Sequence, residues 1–344
     1  MKKKLACLFM VAAMSMGVIA GGVSVSAATD ESGDGIKIGY DIYYAGNTWS
    51  VQLYKEFQSA VEKDEYKDSV EDVIYVESEG DVQKQIANIE DLITQGVDVI
   101  ITTPNSTTAL TPVLTEAQEA GIKVVLLAAI EEGDCYDTLV SVNDYDFGKA
   151  GAEWLAEKLD GKGKIVMLNG ISGVSASDDR AQGAHDVFDQ YPDIEIVAEE
   201  DTDWDYAKAQ TVMGDILTAQ PEIDGVMSQG GAITLGVIDA MEAAGRDLVP
   251  MTGEDNNGFL KTWKELQADG FSSVAPSKPT WLAEEALKSA IALCNGEEVE
   301  KEQIFDVPTI TDDTLDDYVK TDLSDSLYCI TNMTDDELAD IFSE

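Results

Sequence analysis

Histidine is nearly missing from this chain, since His185 is the only one in 344 residues. Its scarcity argues against a histidine-based catalytic triad and against histidine-rich metal centres. Cysteine is scarce too: Cys7, Cys135, Cys294 and Cys329 show no CxxC or Cys/His spacing, so no zinc site is expected. Basic residues are few, with 22 Lys and Arg against 67 Asp and Glu and a formal net charge of −45. Binding to nucleic acid or an anionic membrane needs a basic patch to neutralise phosphates, and is not expected here. No acidic run has the Gly and terminal Glu offsets of an EF-hand calcium loop. Neither a metal nor a cofactor is therefore expected. Long apolar runs are absent after residue 27, where the longest is VVLLAAI, far short of a bilayer span.

What is present begins with Lys2, Lys3 and Lys4, an apolar run from Leu5 to Ala20, and the small residues Val25-Ser26-Ala27 before Ala28. This is the form of an export signal over residues 1–27. A transmembrane anchor is the rival reading, although the apolar core is short for it. Cys7 precedes most of the apolar run, which does not fit a lipoprotein. The mature chain is expected to be exported and soluble, in the periplasm or on the extracellular face of the cytoplasmic membrane. Its three remaining cysteines fit either three buried thiols or one disulfide and a free thiol.

From residue 35 onward two periodicities alternate. IKIGYDIYY, DVIYVES, VDVIITT and IKVVLLAA read as strands, separated by helices over 47–63, 82–95 and 107–120. Gly96 stops the second helix as a left-handed cap. The pattern then restarts, with helices over 143–159, 178–190, 205–219 and 232–244 and the strands KIVMLNG, IEIVAEE, DGVMSQ and LVPMTG. Strands alternating with helices of this length imply parallel sheets with right-handed crossovers, and two series imply two α/β lobes. Ligands of open parallel sheets sit beyond the carboxyl ends of the strands. That position is occupied here by YYAGNTW, TTPNS, NGISGVSASDD, EEDTDWD, SQGG and GEDNN, all polar and several carrying large aromatic rings. A flat ring against the C–H face of a sugar, with amides and carboxylates around its rim, is how a neutral polyhydroxylated ligand is gripped. Trp49 and Trp204 each follow a turn-forming polar residue and are expected at the ligand. Trp263, beside Leu260 and Leu266, is expected in the core.

The motifs NTWSVQLYKEF, QGVDVIITTPNSTTALTPVLTEAQEAGIKVVLL, VNDYDFGKAGAEWLA, GISGVSASDDRAQGAHDVF, SQGGAITLGVIDAMEAAG and MTGEDNNGFLKTW occur in one order along residues 35–305. In this the chain resembles the periplasmic sugar-binding proteins of the ribose-binding type, the substrate-binding components of ABC importers. The resemblance implies an α/β type I periplasmic binding protein fold: two Rossmann-like lobes with parallel sheets, joined by three hinge strands and closing on a ligand. It places the hinges near Val142-Asn143, Ala275-Pro276 and Phe305-Asp306. The first lobe then takes residues 35–142 and 277–305, and the second 143–275. It also implies a monomer that passes a small carbohydrate or polyol to an ABC transporter permease, with no catalysis.

Carried across residue by residue, the family's ligand positions fall on Asn47, Trp49, Trp204 and Asp255. Elsewhere this sequence departs from the pattern. Ala128 and Ala129 replace an Asp, Asp178 stands at the place of a ligand-binding Arg and is itself expected at the ligand, Gly230-Gly231 replaces an Asn-Asp pair, and Pro276 replaces a hinge Gln. Arg180 matches a more structural position. The two glycines and two alanines leave extra room and remove hydrogen bonds, so a larger sugar, a polyol or a short glycoside is expected at least as readily as ribose, with Gln229, Glu254 and Asn256 supplying replacement contacts. Residues 306–344 exceed the ribose-binding pattern and are expected on the second lobe or across the hinge, with Tyr328 as a packing anchor. Three other functions share some of these features. A glycosidase would need an acid and base from pairs such as Asp178/Asp179 or Glu254/Asp255, but neighbours on one loop seldom face each other across a substrate. A transcription regulator of this fold needs a DNA-binding module where the export signal stands. A sensor that presents a sugar or furanose signal to a membrane kinase or chemoreceptor would use the same receptor architecture.

Overall fold

The computed structural model describes residues 35–342; the segment read as an export signal lies outside them. In chain order the elements are β1 (Ile36–Ile42), α1 (Thr48–Val61), β2 (Val70–Glu77), α2 (Val82–Gln95), β3 (Val99–Thr103), α3 (Thr111–Glu119), β4 (Lys123–Leu127) and β5 (Thr138–Val142). Then come α4 (Asp144–Lys158), β6 (Lys162–Asn169), α5 (Ser175–Phe188), β7 (Asp193–Asp201), α6 (Tyr206–Ala219), β8 (Gly225–Ser228) and α7 (Gly231–Ala243). The remainder is β9 (Met251–Thr252), α8 (Asn257–Leu266), β10 (Ser273–Pro276), α9 (Leu282–Cys294), β11 (Glu302–Phe305), β12 (Thr309–Thr311), α10 (Leu315–Tyr318) and α11 (Asp335–Ile341).

The strands form two six-stranded sheets, ordered β11-β5-β4-β3-β1-β2 and β12-β10-β9-β8-β6-β7. Every pairing is parallel except the antiparallel β10–β12 edge. The two-lobed α/β architecture expected from the alternating pattern is the one observed. The chain leaves the first sheet after Val142, returns after Pro276, and crosses again between Phe305 and Thr309. β3 and β5 are buried at every residue, because helices cover both faces of the sheet. β5 had no separate signature, since the short TLVSV run leads straight into the cap of α4.

Local chemistry sets most element ends. Asn47, Asp81, Asn143, Asp205 and Asn256 each accept a backbone N–H at the start of a helix. Gly96 (φ 69°) ends α2 in the left-handed conformation that glycine adopts without strain. α3 begins four residues later than the pattern predicts. Ser106 Oγ accepts from Thr108 and Ala109 in a turn, and the buried carboxylate of Glu131 caps Leu110 and Thr111 from outside the helix. LVPMTG supplies only the two residues of β9, preceded by Pro250, which has no N–H to donate.

Trp263 is fully buried in the second lobe, and its indole N–H donates to Asp312 Oδ1 at 3.0 Å. Cys135 and Cys329 are buried, Cys294 is half-buried, and all three are free thiols. No described helix is long and apolar enough to cross a membrane.

Two glycines let α4 and α5 touch backbone to backbone. A Cβ on Gly148 would run into the Arg180 carbonyl, and one on Gly183 into the Tyr145 carbonyl. This contact fixes Arg180 against the start of α4. Gly148→Ala or Gly183→Ala should therefore lower the unfolding free energy by about 2 kcal/mol or more in a urea titration. Gly214→Ala is the contrast: the space around it on α6 is open. That change should leave stability unaltered or raise it by about 0.5–1 kcal/mol.

Candidate functional site

The loops beyond the carboxyl ends of both sheets enclose a cleft of about 260 Å³, at the small end for ligand pockets. From the first lobe, β1 runs out into Tyr43 and Tyr44, which line the cleft. Asn47 follows, its Oδ1 accepting from Ser50 at 2.8 Å to open α1. Trp49 sits in the first helical turn, and its indole N–H donates to the Lys278 carbonyl at 2.8 Å. That bond orients the ring from the second passage of the chain between the two sheets.

From the second lobe, Trp204 enters on the turn between β7 and α6. Asp203 and Trp204 both take left-handed backbone angles, φ 56° and 54°, a conformation that costs non-glycine residues free energy. The turn persists because Asp205 caps α6 and the ring has a seat. Any side chain on Gly170 would strike the indole, and one on Gly230 would press against it. The space predicted at Gly230 is thus taken up by Trp204, and a Cβ on Gly231 would meet Asn256 and the Glu254 carbonyl. The Trp204 Nε1 and the Thr103 Oγ1 of this wall are buried without a hydrogen-bond partner among the described residues.

A compact charge cluster floors the cleft. Arg180 Nε donates to Asp144 Oδ1 at 2.9 Å, and its NH1 to the Gln229 carbonyl at 3.0 Å and to Glu254 Oε1 at 3.4 Å. The Arg180 guanidinium also lies 3.6 Å from the Phe147 ring centroid. Lys278 Nζ donates to Asp144 Oδ2 at 2.5 Å and to the carbonyl of Ala128, a residue at φ 65°. All four charged groups are at least nine-tenths buried. Burial pushes the Glu254 carboxyl up to about 7, against the pull of Arg180 and with the Asp255 charge adding to the rise. Burial likewise lowers Lys278, with Asp144 opposing. Arg180 stays above its ordinary value because Glu254 and Asp144 outweigh its burial.

The structure brings together four of the residues singled out from sequence: Asn47, Trp49, Trp204 and Glu254 line the cleft. The other four are not on its wall. Asp255 is turned into the protein, where Oδ1 accepts from Ser277 at 2.6 Å and Oδ2 from the Ile330 N–H at 2.6 Å. Asn256 caps α8 through Phe259, and Asn257 binds the carbonyls of Lys320, Leu323 and Ser324. Gln229 donates to Asn169 Oδ1 and the Ser177 carbonyl and accepts from Gly170, bracing the loops beneath Trp204. Asp178 is exposed at the start of α5 and accepts from Gly173 at 3.2 Å. Sequence reasoning missed Lys278, whose signal was a lone cation between two prolines in an acid-rich chain. It also treated Arg180 as structural only, and Tyr328 as packing, whereas both line the cleft.

Asp255 gives a test with a definite sign. Burial raises its carboxyl to about 6, so the folded chain holds a proton that the unfolded chain has released. Its contribution to stability therefore falls as pH rises from about 4 to about 6. Asp255→Asn removes that loss. Relative to the wild type, its unfolding free energy should gain up to about 3 kcal/mol over this window, read from urea titrations at pH 4 and pH 7.5. A pH-independent difference would contradict the burial of this group.

A family model, the periplasmic binding protein domain, matches residues 38–298. The ribose import binding protein of Bacillus subtilis (strain 168) is 27% identical over 270 residues, spanning 78% of this chain and 87% of that protein. The xylitol-binding protein of Mycolicibacterium smegmatis is 31% identical over 247 residues, 71% of this chain and 70% of that one. Among solved structures, an ABC transporter solute-binding protein from Thermobispora bispora aligns with TM-score 0.77 and 24% identity over 85% of this chain and 90% of its own. Another, from Bacillus halodurans with bound myo-inositol, aligns with TM-score 0.75 and 23% identity over 84% and 98%. These structures share the fold of two parallel sheets with interleaved helices. With that fold, a cleft between its lobes and a family match over most of its length, the chain belongs to the periplasmic binding protein family.

Proposed function

We propose that this chain is an extracytoplasmic substrate-binding protein that captures a sugar or neutral polyol between its lobes and delivers it to an ABC importer. The observation that carries the reading is the composition of the cleft wall. Trp49 and Trp204 come from opposite lobes, with Tyr43 and Tyr44 beside them and hydrogen-bonding groups between. Aromatic faces suit the C–H faces of a sugar ring, and the unpaired Trp204 N–H and Thr103 hydroxyl suit its oxygens. The charges of the floor are paired with one another, which favours a neutral ligand over an ion. Relatives named for ribose import and for xylitol binding support the same class. In this reading the protein works as an exported monomer, residues 1–27 are the export signal, and the partner is a transporter permease. The crossings at Val142, Pro276 and Phe305 act as the hinge between lobes 35–142 with 277–305 and 143–275.

The test is thermal unfolding of the chain from residue 28 onward with D-ribose, xylitol, D-allose and myo-inositol. At a hundredfold excess over Kd a bound ligand adds about 2.7 kcal/mol, a rise of several degrees. A flat response to sugars and polyols alike would overturn the reading.

Trp204→Ala should weaken the ligand found in this way by roughly thirtyfold, about 2 kcal/mol, by calorimetric titration. An affinity equal to that of the wild type would remove Trp204 from the site.

A further inference from the structure

The chain after residue 305 places one aromatic side chain in the cleft wall. Tyr328 lies outside the span of the family match, is 7% exposed, and lines the cavity. Its backbone is held from both lobes. Gln52 of α1 accepts its N–H at 2.8 Å and donates to its carbonyl at 2.8 Å, while Asn256 pairs with it in an antiparallel bridge. The next residues extend the grip: the Cys329 N–H donates to the Asp255 carbonyl at 3.0 Å, and the Ile330 N–H to Asp255 Oδ2 at 2.6 Å. Thr331 Oγ1 and the Asn332 N–H then both donate to Glu56 at 2.7 Å. None of these bonds uses the phenol, so the segment stays seated whatever side chain residue 328 carries. The Tyr328 hydroxyl lies beside Thr48, with Arg180 and Glu254 close by.

Resting on the carbohydrate reading above, we propose that Tyr328 is a specificity-determining residue whose ring closes the cleft at the lobe seam and limits the ligand to monosaccharide size. A second sugar unit linked to the first would have to occupy the volume that the ring fills. The small cleft and the side-chain-independent seating of the segment are the two observations behind this assignment. The same segment takes Asp255 Oδ2 through the Ile330 N–H while Ser277 takes Oδ1, so Asp255 has no free oxygen for a ligand.

Calorimetric titration of D-ribose, xylitol, D-allose, myo-inositol, sucrose and trehalose into the wild type, Tyr328→Leu and Tyr328→Trp decides the matter. The wild type should take at least one of the four small ligands and neither disaccharide. Tyr328→Leu should gain about tenfold or more in affinity for at least one disaccharide, and Tyr328→Trp should lose about tenfold for the small ligand. Two variants of opposite size keep the test alive if one fails to fold, with melting close to the wild type as the check. Unchanged affinities and an unchanged size limit in a folded variant would overturn the role of Tyr328 and leave the carbohydrate reading intact. A wild type that takes none of the six sinks the carbohydrate reading instead. Acrylamide quenching then decides the wall: emission from Trp49 and Trp204 should become more quenchable in Tyr328→Leu, and an unaltered quenching constant overturns the proposal.

Discussion

The buried charge cluster of Asp144, Arg180, Glu254 and Lys278 is the interaction on which the cleft depends. Its members stand at the places where the chain changes lobe or leaves a strand. Asp144 follows the first crossing, Lys278 the second, Glu254 the end of β9, and Arg180 sits on α5. Through them the loops that line the cleft are fixed. Lys278 holds the Ala128 carbonyl with its ammonium and the Trp49 indole with its own carbonyl, and Arg180 holds the carbonyl of Gln229 beneath Trp204. Burying such charges costs several kcal/mol of solvation per ion, so the cluster contributes placement more than stability. Removing one member would strand the others uncompensated.

The same cluster makes sense of the acid surplus. In a chain this rich in carboxylates, surface cations are readily neutralised by neighbours, as Lys164 is by Glu222 and Lys320 by Asp335. Arg180 and Lys278 escape that fate by being buried with partners of their own. The floor of the cleft is therefore balanced, while the outer surface is strongly negative.

Much of the fold was legible because its signals are local. The Asn and Asp caps, Gly96, and the alternation of apolar runs with amphipathic helices depend only on near neighbours. The aromatic part of the site was legible for the same reason, since Trp49 and Trp204 follow polar turn residues next to strands. Orientation was not. Asp255 and Asn256 look identical in sequence to ligand-facing residues, and only the distant Ile330, Ser277 and Tyr328 decide that they turn inward. Glu131 capping α3 from another loop, and Gly230 yielding its space to Trp204, are likewise products of tertiary contact. For Lys278 the flanking prolines and acid-rich surroundings mark an unusual cation, but its role is set by partners 134 and 150 residues away in sequence.

Gln52 and Tyr328 are separated by 276 residues, yet they share two hydrogen bonds at the seam of the lobes. Closing so long a loop costs conformational entropy, which the bonds and buried side chains of the segment must offset. The C-terminal segment is thus part of the folded body as well as of the cleft wall: Leu315, Cys329 and Ile330 are buried in the core of the second lobe, so the wall and that core share one piece of chain.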